Sequence, residues 1–96
     1  MIRHVVFFTV KDTNDLETVY DGLSILRGIG EFSHFEVGRN LRTDTISPDG
    51  TDFVVYAEFD DAEQLARFKG HPLYQESIKR VRPLRDQRIA ADFLAA

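Results

Sequence analysis

Two segments carry large apolar side chains on both faces of an extended chain, and that restricts the fold more than anything else here. In "IRHVVFFTV", residues 2–10, Ile2, His4, Val6, Phe8 and Val10 point one way and Arg3, Val5, Phe7 and Thr9 the other. In "DFVVYAEF", residues 52–59, Phe53, Val55, Ala57 and Phe59 oppose Val54 and Tyr56. The β-branched and aromatic content of both runs marks them as strands. A strand apolar on both faces is covered on both sides.

The rest of the chain supplies one cover. "NDLETVYDGLSILRGIG" places Leu16, Val19, Tyr20, Leu23 and Leu26 at helical spacing, with Asn14 and Glu17 spaced as a capping box and Gly28 or Gly30 as the stop. "SHFEVGRNL" alternates as a second strand, and Ser47-Pro48-Asp49-Gly50 is turn chemistry. Asp60, with Glu63 three residues on, is expected to cap a helix whose inner stripe is Ala62, Leu65 and Phe68. Gly70 ends that helix and Pro72 opens the next, which carries Tyr74, Ile78 and Val81 on one face. His71, before proline, is the expected N-cap of this last helix. "DQRIAADFL" is the final strand, Ile89, Ala91 and Phe93 alternating against Arg88, Ala90 and Asp92.

The order β-α-β-β-α-α-β, without internal repeats, predicts one domain over residues 1–96. Its simplest packing is α+β, the ferredoxin-like split βαβ: a four-stranded antiparallel sheet with helices on one face. Val5, Phe7, Val54 and Tyr56 then face away from the helices. Each such side chain gains roughly 1.5–3 kcal/mol on burial, which favours a two-fold homodimer packed through the open face of the sheet.

Composition excludes several functions. There are no cysteines, so no disulfide framework, thiolate metal site or cysteine nucleophile. A net charge of −4 gives no general attraction to nucleic acid. The basic stretch "KRVRPLRDQR", residues 79–88, reads as a solvated helix end and strand start. "RGIG" is too short for a phosphate-binding loop. No apolar run approaches the ~20 residues of a membrane span, and the N-terminus lacks the features of a signal peptide. A cytoplasmic protein, off membranes, is expected.

"MIRHVVFFTVKD", "FEVGRN", "DFVVYAEFDDAEQLARFKGHPLYQ" and "AADF", in this order, resemble the stress-responsive A/B barrel domain (Dabb) family, over nearly the whole chain. The resemblance implies a ferredoxin-like fold forming a dimeric α+β barrel. Most members have no established reaction; a few plant members are stress-induced, stable oligomers. One plant member is a polyketide cyclase that closes an aromatic ring by an intramolecular aldol step. Its strand histidine falls on His4 and its last-strand aspartate on Asp92. Its helix tyrosine falls on Phe68, which has no hydroxyl, and a further pocket histidine on Phe53. The family's usual histidine after the His-Pro pair falls on Tyr74.

His4 and Asp92 are expected to oppose each other across neighbouring strands. The carboxylate would hold one imidazole nitrogen, leaving the other as a base or ligand donor; alternatively the two form a buried pair that satisfies polar groups. Tyr74 points toward the cavity, to hydrogen-bond a ligand or to pack. His34 sits on the more polar face of its strand, exposed or at an interface. The three histidines show no short metal-ligand spacing, and neither metal nor cofactor is expected.

Three functions follow. The first is a stress-related dimer binding a small, largely apolar or aromatic molecule in a cavity lined by His4, Val6, Phe8, Phe53, Phe68, Tyr74 and Asp92. The second is a cofactor-free acid/base enzyme like the cyclase, with His4 catalytic. The third is a structural subunit with a filled barrel. A cavity of roughly 300 Å³ or more separates the first two from the third.

Overall fold

In the computed structural model, which describes residues 1–96, the alternating segments form four strands. These are β1 (Ile2–Val10), β2 (His34–Arg39), β3 (Phe53–Phe59) and β4 (Arg85–Leu94). They pair antiparallel in the order β2-β3-β1-β4, the ferredoxin-like arrangement. Three helices, α1 (Leu16–Ser24), α2 (Ala62–Gly70) and α3 (Pro72–Val81), complete the chain. One side of the two-faced strands builds the core. Val6, Phe8, Phe35, Phe53, Val55, Ala57 and Phe59 are buried with Val19, Leu23, Leu26, Phe68 and Val81 from the helices. Phe68 is its hub, its ring 5.1 Å from Phe59 and 5.6 Å from Tyr74, both in edge-on geometry.

The helix ends follow local hydrogen bonding, and two differ from the sequence expectation. The first helical segment is not capped by Asn14. Asp12, in extended backbone, accepts from the Asn14 amide at 2.9 Å and starts a 3-10 turn over Thr13–Asp15; α1 follows from Asp15 with no side-chain cap. An aspartate bonding the amide two residues on is the short-range turn that such residues favour. After α1, a 3-10 segment at Ile25–Ile29 ends at Gly30, whose φ of 74° is the left-handed conformation glycine adopts without strain.

The cap of α2 is Asp61 rather than Asp60. Asp61 is the extended residue, and its Oδ1 accepts from the Gln64 amide at 2.8 Å. Gln64, not Glu63, therefore holds the third helical position, and its Oε1 accepts from the Asp60 amide at 2.7 Å. Asp60 instead accepts from the Ser33 hydroxyl at 2.9 Å. At α3 the expectation holds: His71 Nδ1 accepts from the Leu73 amide at 3.0 Å, and Pro72 is the first helical residue.

The other side of the sheet has no helix over it. The strand register aligns Val54, Phe7 and Ile89 in one row, Tyr56, Val5 and Ala91 in the next, and Arg3 beside Phe93. Phe7, Ile89 and Phe93 are 41%, 61% and 51% exposed in the single chain. At one corner Arg3 donates to the Tyr56 hydroxyl at 2.6 Å and to Glu58 at 2.9 Å. The Tyr56 bond and, less, the Glu58 carboxylate hold the guanidinium pKa above its ordinary value. His34 is exposed and bonds Glu36 at 2.8 Å.

Candidate functional site

A cavity of about 340 Å³ lies between the helix-facing side of strands β1, β3 and β4 and helices α1–α3. Its sheet wall is His4, Val6, Phe8 and Val55; its helix wall includes Leu23, Leu26, Phe68, Tyr74, Ser77, Ile78 and Val81. Lys69, Arg82, Arg85 and Arg88 complete the lining. The alternation of β1 puts His4, Val6 and Phe8 on this wall. On α3, Tyr74, Ser77, Ile78 and Val81 follow the i, i+3, i+4, i+7 stripe that a helix turns to one side.

Of the seven residues expected at the cavity, the fold brings five together there: His4, Val6, Phe8, Phe68 and Tyr74. Phe53 is not in the lining. It is fully buried, its ring packed 5.8 Å from Tyr20 and its backbone paired with Phe8. Asp92 also lies off the cavity, beside Ile2, Leu65, Phe93 and Leu94 in a separate shallow groove. It sits directly across the ladder from His4 and hydrogen-bonds Nδ1 of that ring. Asp92 thus acts on the cavity only through His4.

His4 is 3% exposed and packs edge-on against Phe59 at 6.1 Å. Its Nε2 bonds no protein group, yet no fully buried side-chain nitrogen or oxygen lacks a partner. Nε2 therefore meets the cavity. With Nδ1 tied to a carboxylate, Nδ1 is the protonated nitrogen of the neutral ring and Nε2 the acceptor. The Tyr74 hydroxyl is likewise without a protein partner, beside Phe68 on the facing wall. Ser77 also faces the cavity but is committed, donating to the Gly22 carbonyl at 2.7 Å. That bond and a close approach clamp α3 onto α1: a β-carbon at Gly22 would lie 2.9 Å from Val81.

The basic stretch corrects the sequence reading most. It is not merely a solvated helix end and strand start: Arg82, Arg85 and Arg88 all line the cavity. Arg88 stands opposite Phe8, and Arg85 opposite Val10, so β4 advances three residues where β1 advances two. The extra residue is a β-bulge, which returns Arg85 to the same side as Arg88. The Gln87 amide within the bulge is accepted by the Thr9 hydroxyl at 3.0 Å. The alternation in "RDQRIAADFL" already placed Arg88 on the His4 side; the bulge left no signature in it. No group of three metal-ligating side chains converges anywhere in the chain, and no helix is long and apolar enough to cross a membrane.

A four-stranded antiparallel sheet, three helices on one face and a chamber between them define a small ferredoxin-like α+β protein. The sequence profile of the stress responsive A/B barrel domain, Dabb, matches residues 2–95, and the chain belongs to that family. A dimeric ferredoxin-like protein from Thermobifida fusca is similar in structure, with 26% identity, a TM-score of 0.81, and coverage of 98% of this chain and 90% of its own. A Dabb family protein from Mesorhizobium loti shares 25% identity with a TM-score of 0.79, covering 99% and 96%. An Arabidopsis thaliana protein, at 18% identity and a TM-score of 0.78 over 100% and 96%, shares the fold. A search of the curated proteins finds no sequence match.

Proposed function

We propose that this chain is a cytoplasmic, two-fold dimer in which each copy binds a small, largely apolar molecule between its sheet and helices, in a stress-related role. What carries the reading is the chamber of about 340 Å³, apolar in its depth and lined by His4 and Tyr74, whose Nε2 and hydroxyl bond no protein group. Its size lies at the lower end of small-molecule pockets, roughly 300–1,000 Å³, and it argues against a filled, purely structural barrel. The dimer rests on the uncovered rows around Phe7, Ile89 and Phe93, since monomers rarely leave so continuous an apolar surface in water. The Thermobifida fusca neighbour, described as dimeric, supports it. A thermal-shift screen of small aromatic and aliphatic compounds tests the cavity. Stabilisation that disappears in Ile78→Trp, which fills the chamber, supports it; stabilisation unchanged in that variant refutes it.

The His4–Asp92 bond favours a second reading, a cofactor-free acid/base enzyme similar to a polyketide cyclase. Asp92 would orient the imidazole so that Nε2 takes a proton from a bound substrate, while the Tyr74 hydroxyl holds a carbonyl. Turnover of a candidate polyketide that persists in His4→Ala would remove His4 from such a mechanism.

A further inference from the structure

We infer that the molecule taken by the cavity carries an anionic group on its apolar body, held by Arg85 and Arg88 at the mouth. This rests on the cavity reading above and adds the charge of the ligand. Of the six arginines elsewhere, five are paired with a carboxylate, Arg3 with Glu58, Arg39 with Glu17, Arg42 with Asp52, Arg67 with Glu31 and Arg80 with Glu76, and the sixth, Arg27, lies over the Phe35 ring. The four cations of the cavity, Lys69, Arg82, Arg85 and Arg88, take part in no ion pair, and no aspartate or glutamate lies in the lining.

The chain has 16 acidic and 12 basic residues, so acid is in excess, yet every residue of the 340 Å³ cavity that carries a full charge is a cation. Lys69, Arg82 and Arg88 are exposed and Arg85 is half-buried, which sets the charge at the rim; Leu23, Leu26, Phe68 and Val81 are buried and set the apolar depth. Helix-dipole compensation accounts for a cation at Arg82, just past α3. It does not account for Arg85 and Arg88, which lie on a strand. Alternation puts Arg88 on the cavity side, and the bulge, with Gln87 secured by Thr9, brings Arg85 to join it. Two guanidinium groups so placed present planar forks of donors matched to a carboxylate or phosphate.

The test is calorimetric titration with three ligands of one hydrocarbon body: decanoate, nonyl phosphate and decanamide. Wild type, the double variant Arg85→Gln/Arg88→Gln and Ile78→Trp are compared, with circular dichroism as the check on folding. At least one anion is expected to bind on the order of tenfold or more tighter than the amide, as hydrogen bonds to charged groups allow. The preference should shrink with added salt and vanish in the double variant, while decanamide affinity stays the same. Whichever anion is preferred identifies the group. Decanamide binding as tightly as both anions, and lost in Ile78→Trp, overturns the anionic inference and leaves the cavity reading standing. So does an anion preference that survives in the double variant. Absence of binding by all three, or binding indifferent to Ile78→Trp, overturns both.

Discussion

His4 and Asp92 face each other directly across the β1–β4 ladder, the imidazole shut inside the molecule and the carboxylate open at its edge, with 40% of the Asp92 side chain exposed. The exposed partner fixes the buried one. Asp92→Ala leaves His4 Nδ1 without its acceptor, and a buried donor without a partner costs about 1–3 kcal/mol. Asp92→Asn keeps an amide oxygen there and should cost less. Urea unfolding checks both: a lower midpoint at unchanged slope for alanine, with asparagine between it and wild type.

The bulge that turns Arg85 inward depends on one hydroxyl. Thr9→Val preserves shape and removes the acceptor of the Gln87 amide. A stability loss of about 1 kcal/mol is expected, the net worth of one such bond. Amide exchange at Gln87 should quicken while that of the β1–β3 ladder does not, which separates a local effect from general loosening.

Two adjacent aspartates have different duties. Asp61→Ala removes the cap of α2 and should cost about 1 kcal/mol, within the usual 0.5–2 range. Asp60→Ala removes only an exposed bond to Ser33 and should change stability by less than about 0.5 kcal/mol. Equal losses in thermal unfolding would contradict the assignment of the cap to Asp61.

The contact of α1 with α3 has no room for a methyl group at Gly22. The β-carbon of Gly22→Ala would meet Val81 at 2.9 Å and Arg80 Cβ at 3.3 Å, and such overpacking costs typically 1–3 kcal/mol. The usual gain from replacing a helical glycine with alanine should therefore be reversed in sign, as read by the unfolding midpoint.

Phe7 stands at the centre of the uncovered sheet face, between Val54 and Ile89. Phe7→Asp places a charge where a two-fold axis would bring a second copy. Light scattering after size exclusion is expected to show a dimer for wild type and a monomer for the variant; a wild-type monomer at micromolar concentration would remove the sheet-to-sheet interface.

Much of this architecture lies in local chemistry, and the sequence alone determined it. Period-two alternation marked β1 and β3 as strands apolar on both faces, and His71-Pro72 set the joint between α2 and α3. The order of elements made β1 and β4 neighbours and so brought His4 opposite Asp92. What depends on pairing was decided only by tertiary structure. Asp60 and Asp61 are equivalent as sequence, and the backbone angle at each selected the cap. Phe53 shares a face with His4, but packing buried it against Tyr20 and out of the cavity lining. Arg85 and Arg88 are three residues apart, which in a regular strand means opposite sides. A single bulge, whose amide is met by a hydroxyl 78 positions away in the chain, put them on one side. Alternation is a property of consecutive residues, whereas a bulge exists only between two strands.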